Sequence, residues 1–172
     1  QATAFELLPG EIQIFYGDET SRPLVSGMPV GGDGHAVRSD MNFGQNAALL
    51  AHWQKLGKFR ARHVSVGAGD HQQISAYNSS TGYTFARNYI DENVTDGVIC
   101  TIGAPANTNI AVDVSSIWPN GKTVTNEYDG TTAVVTNGKA TFNSGAQGVI
   151  LVSGPMPTIS MSLKGKTSFK AF

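Results

Sequence analysis

The sequence predicts a mainly β protein: an antiparallel β-sandwich preceded by a single βα unit. Three observations carry this prediction. Charged residues make up 15% of the 172 residues and 20 residues are glycine, a turn-rich composition well below the roughly 25% charge of an ordinary soluble domain. From His63 onward, short runs with a period of two recur between Asn-Gly, Asp-Gly and Ser-Thr-Gly turns. Before that point only one long segment has a helical period.

In chain order, Ala2 to Leu8 reads as the last turns of a helix, stopped by Pro9-Gly10. Ile12 to Tyr16 is a short apolar run bounded by Gly10 and Gly17, which suits a buried strand of a parallel sheet. Asp18 to Phe43 holds no sustained period and carries Gly27, Pro29, Gly31, Gly32 and Gly34, so it reads as a long loop. Loops of this length in compact domains tend to carry function. Asn46 to Arg60 reads as a helix, with Leu49, Leu50, Trp53 and Leu56 on one apolar stripe. Lys55, Lys58, Arg60 and Arg62 load its C-terminal end with positive charge, which suits the helix dipole.

Strands are predicted at His71 to Tyr77, Tyr83 to Ile90, Gly97 to Ile102, Ile110 to Val114, Thr123 to Tyr128, Thr132 to Thr136, Lys139 to Phe142 and Gly148 to Val152. The turns between them include Pro119-Asn120-Gly121, Asp129-Gly130 and Asn137-Gly138, whose residues suit positive φ. Gly154 to Pro157 reads as a linker, and Thr158 to Leu163 as one more strand. A lone βα unit cannot close a sheet, so its partner strands are expected upstream in a longer protein. Its apolar surface is expected to pack on the sandwich or on another copy.

Composition also excludes function classes. Net charge is -1, from 12 basic and 13 acidic residues, with no block of Lys and Arg; this is no footprint for nucleic acid. Lys164, Lys166 and Lys170 read as solvated surface. No run approaches the ~20 apolar residues of a membrane helix. Cys100, the single cysteine, has no internal disulfide partner and reads as a small buried hydrophobe. Among the aromatic rings, Trp53 reads as core. Trp118 reads either as buried between sheets or as an exposed ring able to stack on sugar.

Five segments carry a family resemblance. Phe15-Tyr16-Gly17-Asp18-Glu19, after Leu7-Leu8-Pro9-Gly10 and an apolar strand, resembles the eighth barrel strand of α-amylase family glycoside hydrolases. Arg38-Ser39-Asp40-Met41-Asn42-Phe43 is similar to an Arg-x-x-Met-x-aromatic segment before their last barrel helix. Trp53, Leu56, Phe59, Arg60 and His63 fit the ending of that helix. Tyr83 to Arg87 and Thr125 to Asn143 are similar to strands of the family's domain C.

The resemblance implies an architecture of three parts. Residues 1–65 are the C-terminal end of a (β/α)8 catalytic barrel, 66–154 a Greek-key domain C β-sandwich, and 155–172 a linker or the start of a further β module. It implies a retaining hydrolase of starch-like α-1,4-glucans in an extracellular or periplasmic setting. The family's catalytic Asp, Glu and Asp would all precede Gln1, so no catalytic residue is assigned here. Retaining hydrolysis needs two carboxyl groups about 5–5.5 Å apart; Asp18 and Glu19 are adjacent and on a strand would face opposite ways. Substrate contact is expected from Arg38, Asp40, Arg22 and Glu19, polar groups at the strand end and in the loop that follows. No metal or cofactor is assigned to this chain, although the resemblance allows calcium in the longer enzyme. The expected partners are α-glucan and the upstream barrel. The competing reading is a non-catalytic β-sandwich that binds glycan.

Overall fold

The computed structural model describes residues 2–31 and 35–156. The expected strand at Thr158 to Leu163 and the lysines at 164, 166 and 170 lie outside the described residues. Three helices come first: α1 (Ala2–Glu6), α2 (Ala47–Arg62) and α3 (Val64–Ala68). Eight strands follow: β1 (Asp70–Asn78), β2 (Gly82–Ile90), β3 (Thr95–Ile102), β4 (Asn109–Asp113), β5 (Thr123–Asn126), β6 (Thr131–Val134), β7 (Lys139–Asn143) and β8 (Val149–Ser153). Each falls on one of the eight predicted strands. Asn137 and Gly138 both take positive φ, 51° and 74°, and Thr136 bridges Lys139 across them, as a two-residue hairpin turn requires.

The strands form two sheets. Six pair in the order β1-β2-β3-β8-β5-β6, and β4 pairs with β7. After the β5-β6 hairpin the chain crosses to β7 and returns to lay β8 beside β5. That return beside the first strand of the set is a Greek-key connection.

The central strands of the large sheet are buried on both faces, and their sequence reflects this. Ala86, Ile99, Ile150 and Val152 face the small sheet, in a core with Ile110, Val112, Trp118, Val124 and Phe142. Their neighbours Phe85, Val98, Cys100, Val149 and Leu151 face the other way, in a core with Leu7, Leu56, Phe59 and Val66 from the helical region. A strand covered on both sides reads as a continuous apolar run, as in Val98-Ile99-Cys100 and Val149-Ile150-Leu151-Val152. β4 and β7 have one face on the core and alternate buried and exposed residues along their length.

Two expectations at the N-terminal end change. Ile12 to Tyr16 forms no strand; Ile14, Phe15 and Tyr16 are 46%, 46% and 45% exposed. A strand needs a neighbouring backbone to accept and donate its hydrogen bonds, and no described segment pairs with this one. The buried stripe of α2 is His52, Leu56 and Phe59, while Trp53 is only half-buried. The helix also runs past Gly57 to Arg62 and is followed by α3, which the sequence reading did not separate. Trp118 is fully buried, and its indole N–H donates to the Pro155 carbonyl at 3.2 Å. It therefore has no face for a sugar. Met156 packs against the same core, so the chain stays on the sandwich at least as far as Met156, within the segment read as a linker.

Candidate functional site

The region around the Tyr-Gly-Asp-Glu segment is built by two loop stretches held side by side. A 3-10 turn at Asp18–Thr20 follows Gly17, and a second at Ala36–Arg38 precedes Ser39. The Val25 N–H donates to the Ala36 carbonyl at 2.7 Å. Thr20 Oγ1 donates to Asn42 Oδ1 at 2.6 Å, and Tyr16 Oη donates to the Ser39 carbonyl at 3.1 Å. These bonds join residues 16–25 to residues 36–42 without a sheet.

Arg22 sits at the centre of that seam. Its Nη1 donates to the Ser39 carbonyl at 2.8 Å and also to Ser39 Oγ. Nη2 donates to the Val37 carbonyl, and Nε to the Tyr16 carbonyl at 3.2 Å. The guanidinium carbon lies 4.0 Å from the centroid of the Tyr16 ring and 5.7 Å from that of Phe15, within cation–π range. Gly17 takes φ 85°, and a Cβ there would lie 2.6 Å from Arg22 Nε. Glycine is thus required twice at this position, for its backbone angle and for the arginine lying against it.

The expected substrate contacts fall into different settings. Arg38 and Asp40 are exposed and flank Ser39. They form no ion pair with each other among the described residues. Glu19 is half-buried within its 3-10 turn, and Asp18 is exposed. Asp18 and Arg22 line a cleft of about 950 Å³ together with Phe15, Leu49, His52 and Trp53. One wall of this cleft is the exposed apolar segment and the other is α2.

Two polar clusters, built on His63 and His52, tie the helices to the sandwich through partners distant in sequence. His63, between α2 and α3, places Nδ1 2.9 Å from Asp96 Oδ1 and Nε2 2.7 Å from Glu127 Oε1. Glu127 also accepts from Arg62 Nε at 2.9 Å and from Ser153 Oγ at 2.5 Å. Burial alone would raise the Glu127 carboxyl, but the bonds from Ser153, His63 and Arg62 overcome it and hold the group below its ordinary range. Asp96 behaves alike: burial opposes the bonds from His63 and the Ser65 backbone N–H, and the bonds prevail. Two carboxylates held ionised in this way pin a structure; a general acid needs the opposite shift.

In the second cluster, His52 Nδ1 lies 2.6 Å from Tyr128 Oη and Nε2 2.9 Å from Thr3 Oγ1. Burial lowers the His52 imidazole and raises the Tyr128 phenol. Residues 127 and 128 sit far from the helix in sequence, so only the folded chain brings them to it. Among the described residues no group of three or more His, Cys, Asp or Glu side chains could hold a metal ion. No described helix is long and apolar enough to cross a membrane.

No protein-family model matches the chain. A periplasmic α-amylase of Escherichia coli K12 is 46% identical to it over 93 residues, covering 51% of this chain and 13% of that protein. Among solved structures, an Anoxybacillus α-amylase superposes with a TM-score of 0.65 at 22% identity, over 89% of this chain and 31% of its own. AmyP in complex with maltose gives a TM-score of 0.67 at 18% identity, over 88% of this chain and 33% of its own. The chain thus spans a third or less of the length of each of these three proteins. It is similar in sequence to one α-amylase over about half of its own length and shares the fold of other α-amylase structures over nearly all of it.

Proposed function

We propose that the chain is the C-terminal part of a retaining α-glucan hydrolase acting on starch-like α-1,4-glucans. Residues 1–65 close a (β/α)8 catalytic barrel, 66–154 form domain C, and 155–172 lead onward from it. The observation that carries this reading is the 46% identity to a periplasmic α-amylase. The exposed run Ile14, Phe15 and Tyr16 supports it, because a barrel strand stripped of its neighbours would leave such a surface. The same relative, a periplasmic protein, supports an extracellular or periplasmic setting.

In this reading the chain supplies support and one wall of the cleft. The carboxylates that protonate and attack the glycosidic bond belong to the upstream barrel. Arg38, Asp40 and Glu19 offer charged donors and acceptors to sugar hydroxyls. The α2–sandwich contacts fix the helix that backs the last barrel strand.

A reducing-sugar assay on soluble starch tests the proposal. The isolated chain is expected to release no sugar above background, and a longer polypeptide that contains it is expected to be active. Hydrolysis by the isolated chain would overturn the proposal. Retention of the isolated chain on insoluble starch would instead favour a glycan-binding module, a reading weakened by the complete burial of Trp118.

A further inference from the structure

We infer that Arg22, at the edge of the cleft, is a positioning residue: it pins Ser39 and thereby fixes the exposed Arg38 and Asp40 on either side of it, without itself binding sugar. The inference rests on the reading above that Arg38 and Asp40 contact sugar, and deepens it. The guanidinium meets four acceptors, the carbonyls of Tyr16, Val37 and Ser39 and the Ser39 hydroxyl. Of its five N–H donors, little remains for a ligand, and its face is taken by the Tyr16 ring. Ser39 is the focus of the arrangement. Its carbonyl accepts from both Arg22 and Tyr16 Oη, while its own hydroxyl donates to the Pro23 carbonyl at 2.5 Å.

The two exposed charged residues are the immediate neighbours of this pinned serine. A planar fork is needed because three of the acceptors are fixed backbone carbonyls on two separate stretches. A lysine ammonium is a point charge and cannot span them. Gly17 completes the device, since any side chain there would collide with the Arg22 stem at 2.7 Å.

The experiment has two arms, using Arg22→Ala and Arg22→Lys. In the isolated chain, amide hydrogen exchange is read at Val25 and Arg38, whose N–H groups bond to the Ala36 and His35 carbonyls. Both variants are expected to speed exchange there about tenfold or more, while the amides of β3 and β8 keep their protection. Unchanged exchange in both variants overturns the inference.

In the longer amylase polypeptide, steady-state kinetics are read with a maltooligosaccharide. Arg22→Ala is expected to raise KM about tenfold with kcat within about twofold. Added to an Arg38→Ala, Asp40→Ala background, it should change KM less than about twofold, because its effect passes through those residues. Full additivity would make Arg22 a direct ligand and overturn the inference. If Arg38→Ala and Asp40→Ala leave KM unchanged while Arg22→Ala speeds exchange, the sugar-contact reading of those two residues fails; the pin on Ser39 is then supported and its role in substrate binding is overturned.

Discussion

The sandwich and the loop region at residues 11–43 are held together by different means. In the sandwich, eight strands close two sheets around fully buried side chains such as Trp118, Ile99, Val124 and Leu151. In the loop region the order comes from side chains bonded to backbone carbonyls, with Arg22 at the centre, while Phe15, Leu24 and Phe43 stay exposed at 46%, 54% and 82%. Apolar burial makes the first region self-sufficient. The second is shaped but scarcely buried, as expected of a surface made for a neighbour or a ligand. The helices α1 to α3 belong with the sandwich: Leu56 and Phe59 are fully buried against the face of the large sheet opposite β4 and β7.

Large-to-small substitutions should break this contrast most sharply. Trp118→Ala and Phe59→Ala are each expected to cost about 3–5 kcal/mol in denaturant unfolding. Phe59→Ala should shift one common transition. A separate early melting of helical signal would mean that α2 is not part of the sandwich's cooperative unit.

The His63 junction comes next. Glu127→Gln is expected to cost about 1–3 kcal/mol at pH 7, since it weakens bonds to His63, Arg62 and Ser153. The sign of its pH dependence follows from the folded carboxyls of Asp96 and Glu127 lying below their ordinary range. Their stabilisation is fully present above the unfolded carboxyl range, near pH 4, and is lost as pH falls through the folded values. Unfolding measured from pH 7 down to pH 3 should therefore show an acid loss that Glu127→Gln reduces. His52 adds to the fall at a higher pH: burial keeps it neutral, so protonation of the unfolded chain below about pH 6.5 favours unfolding.

A smaller effect is expected at the β6-β7 turn. Gly138→Ala should cost about 1 kcal/mol, because φ is 74° and the new Cβ would lie 3.0 Å from Ser115 Cβ. The smallest belongs to the loop region, where Phe43→Ala should stay within about 0.5 kcal/mol of the parent in the same unfolding measurement. A loss comparable to that of Trp118→Ala would show that the loop is packed more firmly than its exposure indicates.

Much of this was legible in the amino-acid order. All eight strands and the long helix could be read from period and turn chemistry, because hairpin residues such as Asn137-Gly138 and alternation such as that of β7 are local signals. The continuous run at Val98 to Ile102 announced a strand but not which faces would be covered, or that the helices would cover one of them. At the candidate site, the Tyr-Gly-Asp-Glu segment could be recognised, and Arg22, Arg38 and Asp40 could be named. Their division of labour could not, since Arg22 meets Ser39 across 17 residues of loop with no period.

The sequence alone determined where strands, turns and the helix form, because those choices rest on φ preferences and on the spacing of apolar side chains within a few residues. Tertiary structure decided the rest: the absence of a strand at Ile12 to Tyr16, the complete burial of Trp118, and the His63 and His52 junctions with Glu127 and Tyr128. These depend on which distant backbone or side chain stands within about 3 Å. Such contacts are fixed only when the whole chain has packed.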